Sequence, residues 1–309
     1  MKIFAVVPKI NFMAQRKRGL IASVILTTAA LVLLLTRGLN LGIDFTGGVL
    51  VEVQYPQTVE LEKVREDLGK AGYEHPVVQY FGGTSDVLIR LPPSKEQNQA
   101  KISTAILDAL GSSTQGIQLR RIEFVGPQVG EELTTNGGLA MLMAFIGIMA
   151  YIAFRFEWKF SIGAIAALVH DALMVMGFLS AFWVEFDLTT LAAILALIGY
   201  SNNETIVIFD RVRENLINIR RGEILDIVNL SVNQTLLRSV ITHLTTLLVC
   251  TALFFLGGAS VHSFSIAMIV GVIVATYSSI YISTNLAVVL GVNREDLLPP
   301  KTDEVDERP

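Results

Sequence analysis

Long apolar stretches alternate with short polar ones along most of the chain. A membrane-spanning helix needs about 20 apolar residues to cross about 30 Å of hydrocarbon. Residues 239–293 contain no Asp, Glu, Lys or Arg, which is too long a run for one span, and the Gly-Gly-Ala-Ser stretch at 257–260 divides it. The hydrophobic pattern therefore predicts six membrane helices, at residues 19–39, 133–154, 160–184, 188–209, 235–256 and 264–291.

A polar insert, residues 40–132, separates the first two predicted membrane helices. Four runs rich in strand-forming residues (49–54, 77–81, 87–91 and 117–125) alternate with helical patterns at 59–71 and 95–110. The order β-α-β-β-α-β is that of the ferredoxin-like fold. We expect an α-helical polytopic membrane protein with six transmembrane helices and a ferredoxin-like α/β insert between helices 1 and 2.

Basic residues in the short connections predict the orientation of the helices. Lys9, Arg16 and Arg18 precede the first span, whereas Glu185 and Asp187 lie in the connection between the third and fourth spans. This places residues 1–18 and 292–309 in the cytoplasm and the insert on the outer side. We expect the first span to be an uncleaved anchor, because no small-residue cleavage site follows it. The basic, amphipathic segment 211–232 is predicted to lie on the inner membrane face, either as a surface helix or as an elbow between two spans.

Composition removes several classes of function. Charged residues make up 17% of the chain, against about 25% in soluble domains, and the mean hydropathy is +0.54. One cysteine excludes an intrachain disulfide and a Cys-based metal site. The net charge of −4 and the absence of a Gly-x-x-x-x-Gly-Lys loop argue against a nucleic-acid partner and against ATP as the energy source. We expect no enzymatic activity, no catalytic residues, no cofactor and no metal.

Ionisable residues inside the predicted spans carry the functional signal, because such groups cost several kcal/mol in a membrane and by default mark a pathway. Asp171 lies near the middle of the third span. Glu204 and Arg238 lie at similar depth on successive spans, so we expect them to pair, with Asn203 and His243 nearby. These five residues form the predicted proton pathway. The alternatives are a static Glu204–Arg238 ion pair and, at Asp171, an ordinary interhelical hydrogen bond.

Glycine-bearing segments flank the insert on both sides. Glycine allows backbone conformations that other residues avoid, and Asp and Thr side chains can bond to nearby amides. We predict that these junctions act as a hinge for the insert, with two ordinary turns as the alternative. The residues of this predicted hinge are Gly42, Asp44, Thr46, Gly47, Gly48, Gly126 and Pro127.

Four motifs in this order resemble the SecF family, subunits of the bacterial SecDF protein-export complex. They are LGIDFTGG at 41–48, RIEFVGP at 121–127, FRFEW at 154–158 and IGYSNNETIVIFDRVREN at 198–215. The resemblance implies a six-span half of a resistance-nodulation-division transporter in the bacterial inner membrane, with the insert in the periplasm. It also implies a SecD-like second subunit, the SecYEG channel and a translocating preprotein as partners, and the proton-motive force as the energy source.

The resemblance also assigns roles to individual residues. The family usually carries Asp at the position of Glu204, and that carboxylate is held to be part of the proton route. Arg238 falls at the position of the family's membrane arginine. The alternative reading is a half-transporter of the same superfamily that exports a small molecule or a lipid; such exporters usually carry both halves in one chain.

Overall fold

The computed structural model describes residues 8–73, 76–81, 83–93, 99–111 and 116–297. Parts of the predicted cytoplasmic ends, residues 1–7 and 298–309, lie outside the described residues, as do 94–98 at the start of the predicted helix 95–110.

The first half of the chain forms one membrane helix and the insert. Helix α1 (Arg16–Thr36) leads through a short strand β1 (Asn40–Leu41) into the one-turn helix α2 (Ile43–Thr46). The insert follows as β2 (Gly48–Gln54), α3 (Leu61–Lys70), β3 (Val77–Phe81), β4 (Gly83–Leu91), α4 (Gln99–Ala109) and β5 (Gln118–Val125). Its strands lie in the order β3-β4-β2-β5, each antiparallel to its neighbour, which confirms the ferredoxin-like prediction.

Alternation along β2 gives the sheet two different faces. Val49, Val51 and Val53 point into the core that α3 and α4 cover. Full burial of such a side chain contributes about 1.5–3 kcal/mol. Leu50 points the other way and packs with Leu88 and with Ile43 of α2. The second face of the sheet is therefore directed toward the junction with the membrane helices.

The second half of the chain supplies the other membrane helices. They are α5 (Pro127–Arg155), α6 (Trp158–Phe182), α7 (Leu188–Asn218), α8 (Ile224–Leu256) and α9 (His262–Ser278), which passes through a π-helical turn (Ser279–Ser283) into α10 (Thr284–Val289). A strand β6 (Glu185–Phe186) precedes α7 and pairs in parallel with β1. Six described helices are long and apolar enough to cross a membrane, as predicted.

Several boundaries differ from the prediction, most clearly at the start of α5 and between α7 and α8. Helix α5 begins at Pro127 rather than at residue 133, because proline suits the first helical position, where its missing N–H leaves no hydrogen bond unmade. The segment 211–232 is not a separate surface helix, since α7 continues to Asn218 and α8 begins at Ile224. Asn215 Nδ2 donates to Ser231 Oγ and to Gln234 Oε1, both at 2.8 Å, and thereby ties the two helix ends together as an elbow.

Helices α6, α7 and α9 form the centre of the bundle. In the most apolar part of each of these three spans, 56% of the residues are buried. The corresponding share is 11% for α1 and α5 and 17% for α8. Close helix contact uses small residues, as is common in membranes: a Cβ added at Gly163 would press on the backbone of Ser283. Helices α1, α5 and α8 consequently present apolar surface outward.

Candidate functional site: polar centres inside the bundle

Glu204 lies at the meeting point of α7, α8 and α9. It is 7% exposed, and Ser239 Oγ of α8 donates a hydrogen bond to its Oε1. His243 Nε2, one turn further along α8, lies 3.7 Å from Glu204 Oε2. His243 Nδ1 is 2.8 Å from Thr276 Oγ1 of α9. A carboxyl, an imidazole and two hydroxyls thus form one buried polar centre.

Helical spacing decides which side chains reach this centre. Thr235, Ser239 and His243 recur every four residues on α8 and are all buried. Arg238 precedes Ser239 by one residue, which turns it by about 100° around the helix axis, and its side chain is exposed on the outer surface of the bundle. The structure therefore does not bring Arg238 to Glu204, because the two side chains lie on different sides of α8.

Asn203 is separated from the centre for the same reason. It is exposed, whereas Asn202 and Glu204 on either side of it are buried. Sequence reasoning also missed Ser239 and Thr276 as partners. The four-residue spacing of Thr235, Ser239 and His243 on one face of the predicted helix was the signal that could have found the first of them.

The geometry suits a carboxyl that gains and loses a proton. A hydroxyl can donate to a carboxylate or accept from a carboxylic acid, so Ser239 fits both states of Glu204. A neutral imidazole can accept a proton and return it, and His243 Nε2 lies near Glu204, although at 3.7 Å from Oε2 it forms no direct hydrogen bond. Among the described residues, no group of three or more His, Cys, Asp or Glu side chains is arranged to hold a metal.

Asp171 lies in a second polar centre, about one turn away along α7. It is 2% exposed, and its Oδ2 accepts hydrogen bonds from Ser201 Oγ of α7 at 2.5 Å and from Ser278 Oγ of α9 at 2.8 Å. Its Oδ1 is 3.0 Å from Nδ1 of the adjacent His170. Ser201 lies about one helical turn before Glu204, so the two centres share α7. The sequence drew attention to Asp171 but not to its hydroxyl partners.

The segment from Gly42 to Gly48 binds the end of the bundle nearest the insert. Gly42 N donates to Phe186 O at 2.8 Å, and the Asp44 carboxylate accepts from Leu188 N at 3.0 Å. Leu188 is the first residue of α7, where a negative charge is favoured by the helix dipole. Thr46 Oγ1 bonds to Gly42 O at 3.1 Å and closes the small turn of α2.

The glycines of the junction allow the two chain connections of the insert to touch. Gly47 has φ +69°, and a Cβ there would lie 3.0 Å from Pro127 Cα. Gly48 has φ +128°, and Gly126 immediately precedes α5. A Cβ at Gly130 would lie 2.8 Å from Gly47 N. The predicted hinge residues thus lie together in one close-packed junction, and hinge motion stays a prediction.

A buried arginine joins the insert to the paired strands β1 and β6. Arg90 of β4 is 7% exposed, and its Nη2 donates to Asn40 Oδ1 at 2.9 Å. Its Nη1 donates to Leu41 O at 3.1 Å and lies 3.5 Å from Glu185 Oε1. Burial raises the pKa of the Glu185 carboxyl, and the positive charge of Arg90 opposes that effect. Sequence reasoning missed this contact.

Comparison with known families agrees with these features. The family model described as "Protein export membrane protein SecD/SecF, C-terminal" matches residues 105–293, and the "SecD/SecF GG Motif" model matches residues 32–59. The second match contains Gly47 and Gly48.

Similar proteins cover nearly the whole chain. The protein translocase subunit SecF of Pseudomonas aeruginosa is 51% identical over 301 residues, which are 97% of this chain and 98% of that protein. The SecF subunit of Haemophilus influenzae is 46% identical over 303 residues, 98% of this chain and 93% of the relative. These names do not favour the alternative of a small-molecule or lipid half-transporter.

A solved structure has the same fold. The crystal structure of SecDF, a translocon-associated membrane protein from Thermus thermophilus, matches with a TM-score of 0.85 and 37% identity. The match covers 93% of this chain and 39% of that one. This chain therefore corresponds to well under half of the longer protein.

Proposed function

Since this chain belongs to the SecF family and is a multi-pass protein of the bacterial inner membrane with a role in Sec-associated protein translocation, we propose that it uses the proton-motive force to assist preprotein translocation. Glu204 binds and releases protons during this cycle. The buried carboxyl of Glu204 between Ser239 and His243 is the observation that supports the proposal. A static scaffold has no need of a carboxyl in this position, which costs several kcal/mol.

The energy available is adequate for a conformational switch. One charge moved through 100 mV supplies about 2.3 kcal/mol. A tenfold change in an equilibrium requires about 1.4 kcal/mol. One proton bound at Glu204 and released to the other side of the membrane is therefore sufficient to bias a two-state element by more than tenfold.

We place the insert in the periplasm and both chain ends in the cytoplasm, from the distribution of basic residues. The insert would contact the emerging preprotein near the outer end of the SecYEG channel. The Asp44 carboxylate bonds to the first residue of α7, the helix that carries Glu204, and Arg90 contacts Glu185 just before that helix. A change at Glu204 can thus reach the insert along one helix.

Arg238 forms no ion pair with the described residues of this chain, so we infer that its counter-charge comes from another subunit. Its side chain is exposed on α8, and an unpaired arginine in lipid is costly. A SecD-like second subunit packed on α8 would supply an acidic partner. In this proposal Arg238 lies at the interface between the two subunits. It is close to Glu204 along the bundle but on the other side of α8.

The proposal is tested by export of a slow preprotein into inverted membrane vesicles with and without a proton gradient. Glu204→Gln keeps size and hydrogen bonding but cannot titrate, so we expect the gradient-dependent part of export to disappear. The control is Glu214→Gln, on the same helix, where the carboxylate is half exposed and bonded to Arg211; it should behave as wild type. Gradient-stimulated export that survives in Glu204→Gln would contradict the proposal.

A further inference from the structure

Helix α1 approaches the rest of the bundle closely at two places. Near its start, Tyr277 Oη donates to Gly19 O at 2.5 Å, and a Cβ at Gly19 would lie 2.7 Å from the Tyr281 ring. Near its other end, a Cβ added at Gly177 of α6 would overlap Ala30. The stretch of α1 between these contacts is therefore held in a fixed position relative to α6 and the π-helical turn.

An apolar groove of about 240 Å³ lies along this stretch. Leu20, Val24 and Thr28, four residues apart, form its wall on α1, and Val24 is 59% exposed, so the groove opens to the outer surface of the bundle. His170 and Ile282, which are buried, form its floor. From Leu20 to Thr28, α1 rises about 12 Å, a length that fits part of a lipid acyl chain. The other lining residues are Ser23 and Thr27.

Two hydroxyls beside the groove already have protein partners. Thr28 Oγ1 donates to Val24 O at 2.7 Å, and Ser23 Oγ donates to Tyr277 Oη at 3.2 Å. Neither hydroxyl therefore needs water or a polar ligand in the groove. Apolar grooves on a protein surface mark binding sites for apolar groups, and in a membrane the apolar groups available are acyl chains.

A cluster of basic residues lies about one helical turn beyond the groove. Arg16, Lys17 and Arg18 are the first three residues of α1, and none of them forms an ion pair with the described part of the chain. Asn285 Nδ2 of α10 donates to Arg16 O at 3.3 Å, which holds this end of α1 in place. Leu20 follows Arg16 by about 6 Å along the helix axis. Unpaired positive charges thus lie at the end of the groove, where the predicted span begins.

An anionic phospholipid carries the two kinds of group that this site can bind. Its phosphate pairs with Arg and Lys side chains, and its acyl chains are apolar. Basic pockets between transmembrane helices on the cytoplasmic side bind anionic headgroups, and the distribution of basic residues predicts that this end of α1 is cytoplasmic. A zwitterionic lipid offers the same acyl chain but carries an ammonium group that the basic residues repel.

We propose that the groove between α1 and α6 binds an acyl chain of an anionic phospholipid, whose phosphate contacts Arg16, Lys17 and Arg18. The site is formed by α1, α6 and the π-helical turn, whereas the proposed contact with the second subunit is on α8. Lipid binding here depends neither on Glu204 nor on export. The two proposals therefore stand or fall separately.

The test is photo-cross-linking of the full chain, together with its partner subunit, in phosphatidylcholine vesicles. The vesicles contain a small fraction of phosphatidylglycerol with a diazirine on one acyl chain or, in a parallel sample, phosphatidylcholine with the same diazirine chain. Mass spectrometry measures the labelling of residues 20–28 and 282 relative to that of residues 151–154 of α5. The α5 segment is the reference because Tyr151 and Phe154 are 52% and 93% exposed and the neighbouring Arg155 is paired with Asp210.

We expect the phosphatidylglycerol probe to label the groove at least about fivefold more than the phosphatidylcholine probe, relative to the reference segment. Each basic residue near an anionic lipid surface contributes about fivefold in affinity, and higher salt should reduce the preference. Equal labelling by the two probes would overturn the proposal. So would the absence of label from residues 20–28 with both probes, because protein would then cover the groove.

A charge variant tests the contact with the headgroup. Lys17→Gln/Arg18→Gln should lower the preference for phosphatidylglycerol toward 1, while Arg16 remains. The control is Arg220→Gln/Arg221→Gln, which changes two exposed basic residues in the connection between α7 and α8 and should keep the preference of the wild type. Equal preferences in the two double variants would contradict the headgroup contact.

A second pair of variants tests the acyl-chain site without changing any charge. Val24→Phe places a ring in the groove and should lower the labelling of Ile282 by the phosphatidylglycerol probe. Val32→Phe, at a position that is 53% exposed on the same helix, should leave that labelling unchanged. Copurification with the partner subunit shows that both variants assemble. Labelling of Ile282 that is the same in the two variants would show that the acyl chain does not occupy the groove.

Discussion

Glu204 has a hydroxyl at one carboxylate oxygen and an imidazole near the other. Sequence alone could identify Glu204 and His243, because an ionisable residue is conspicuous in an otherwise uncharged stretch. It could not identify their partners. The position of a residue along a span gives its depth, but the direction in which its side chain points depends on how the helices pack. Ser239 points inward, whereas Arg238, one residue before it, points outward.

At the residue scale, we predict that Thr276→Val impairs gradient-dependent export without abolishing it. The change removes the hydrogen bond that holds His243 Nδ1. One such bond is worth about 0.5–1.5 kcal/mol, which corresponds to a rate loss of a few-fold to about tenfold. The control is Thr245→Val, an exposed threonine of α8. Initial export rates in vesicles check the prediction, and equal rates for the two variants would count against a role for His243.

The elements of the insert were predictable because strand alternation and turn residues are local signals. Its attachment to the bundle was not. An arginine within a strand usually indicates a solvent-facing position, and only the folded structure places Arg90 against Asn40 and Glu185. The sequence could not distinguish an elbow between α7 and α8 from a surface helix. An amphipathic basic segment fits a helix end as well as a helix that lies on the membrane.

At the element scale, we predict that Arg90→Met loosens the insert from the membrane helices. Removing one partner of a buried ion pair costs about 3–5 kcal/mol, and here it also leaves Asn40 Oδ1 and Leu41 O without their donor. Hydrogen exchange of β1 and β6 should therefore accelerate while the core of the insert stays protected. Arg120→Met, on the exposed part of β5, is the control. Unchanged exchange in Arg90→Met would show that other contacts hold the insert.

The whole molecule has a well-packed centre and three thinly covered helices. Helices α1, α5 and α8 all present apolar surface, but α8 carries an exposed arginine, Arg238, within its predicted span. A charged residue there distinguishes a protein-facing surface from a lipid-facing one. Six spans and the family could be predicted from sequence, whereas our proposal for the face that meets the second subunit depends on the structure.

At the scale of the assembly, we predict that this face of α8 contacts the second subunit. Ile241 and Val249 lie near Arg238 around the helix and are 49% and 60% exposed. In a Cys250→Ala background, cysteines at these positions should cross-link to the partner. Cysteines at Ile21 and Ile25 of α1, 60% and 62% exposed, are the controls. Equal cross-linking from both helices would contradict the assignment.

The central claim is that Glu204 works by titrating, and an apolar double variant tests it most directly. Glu204→Leu/His243→Leu removes both members of the buried pair, so neither is left without a partner, and a purely structural pair is often replaceable in this way. Copurification with the partner subunit shows that the variant assembles. We predict that the ratio of export with a proton gradient to export without one falls to 1 in this assembled variant. A ratio equal to that of the wild type would show that Glu204 and His243 only hold the helices together.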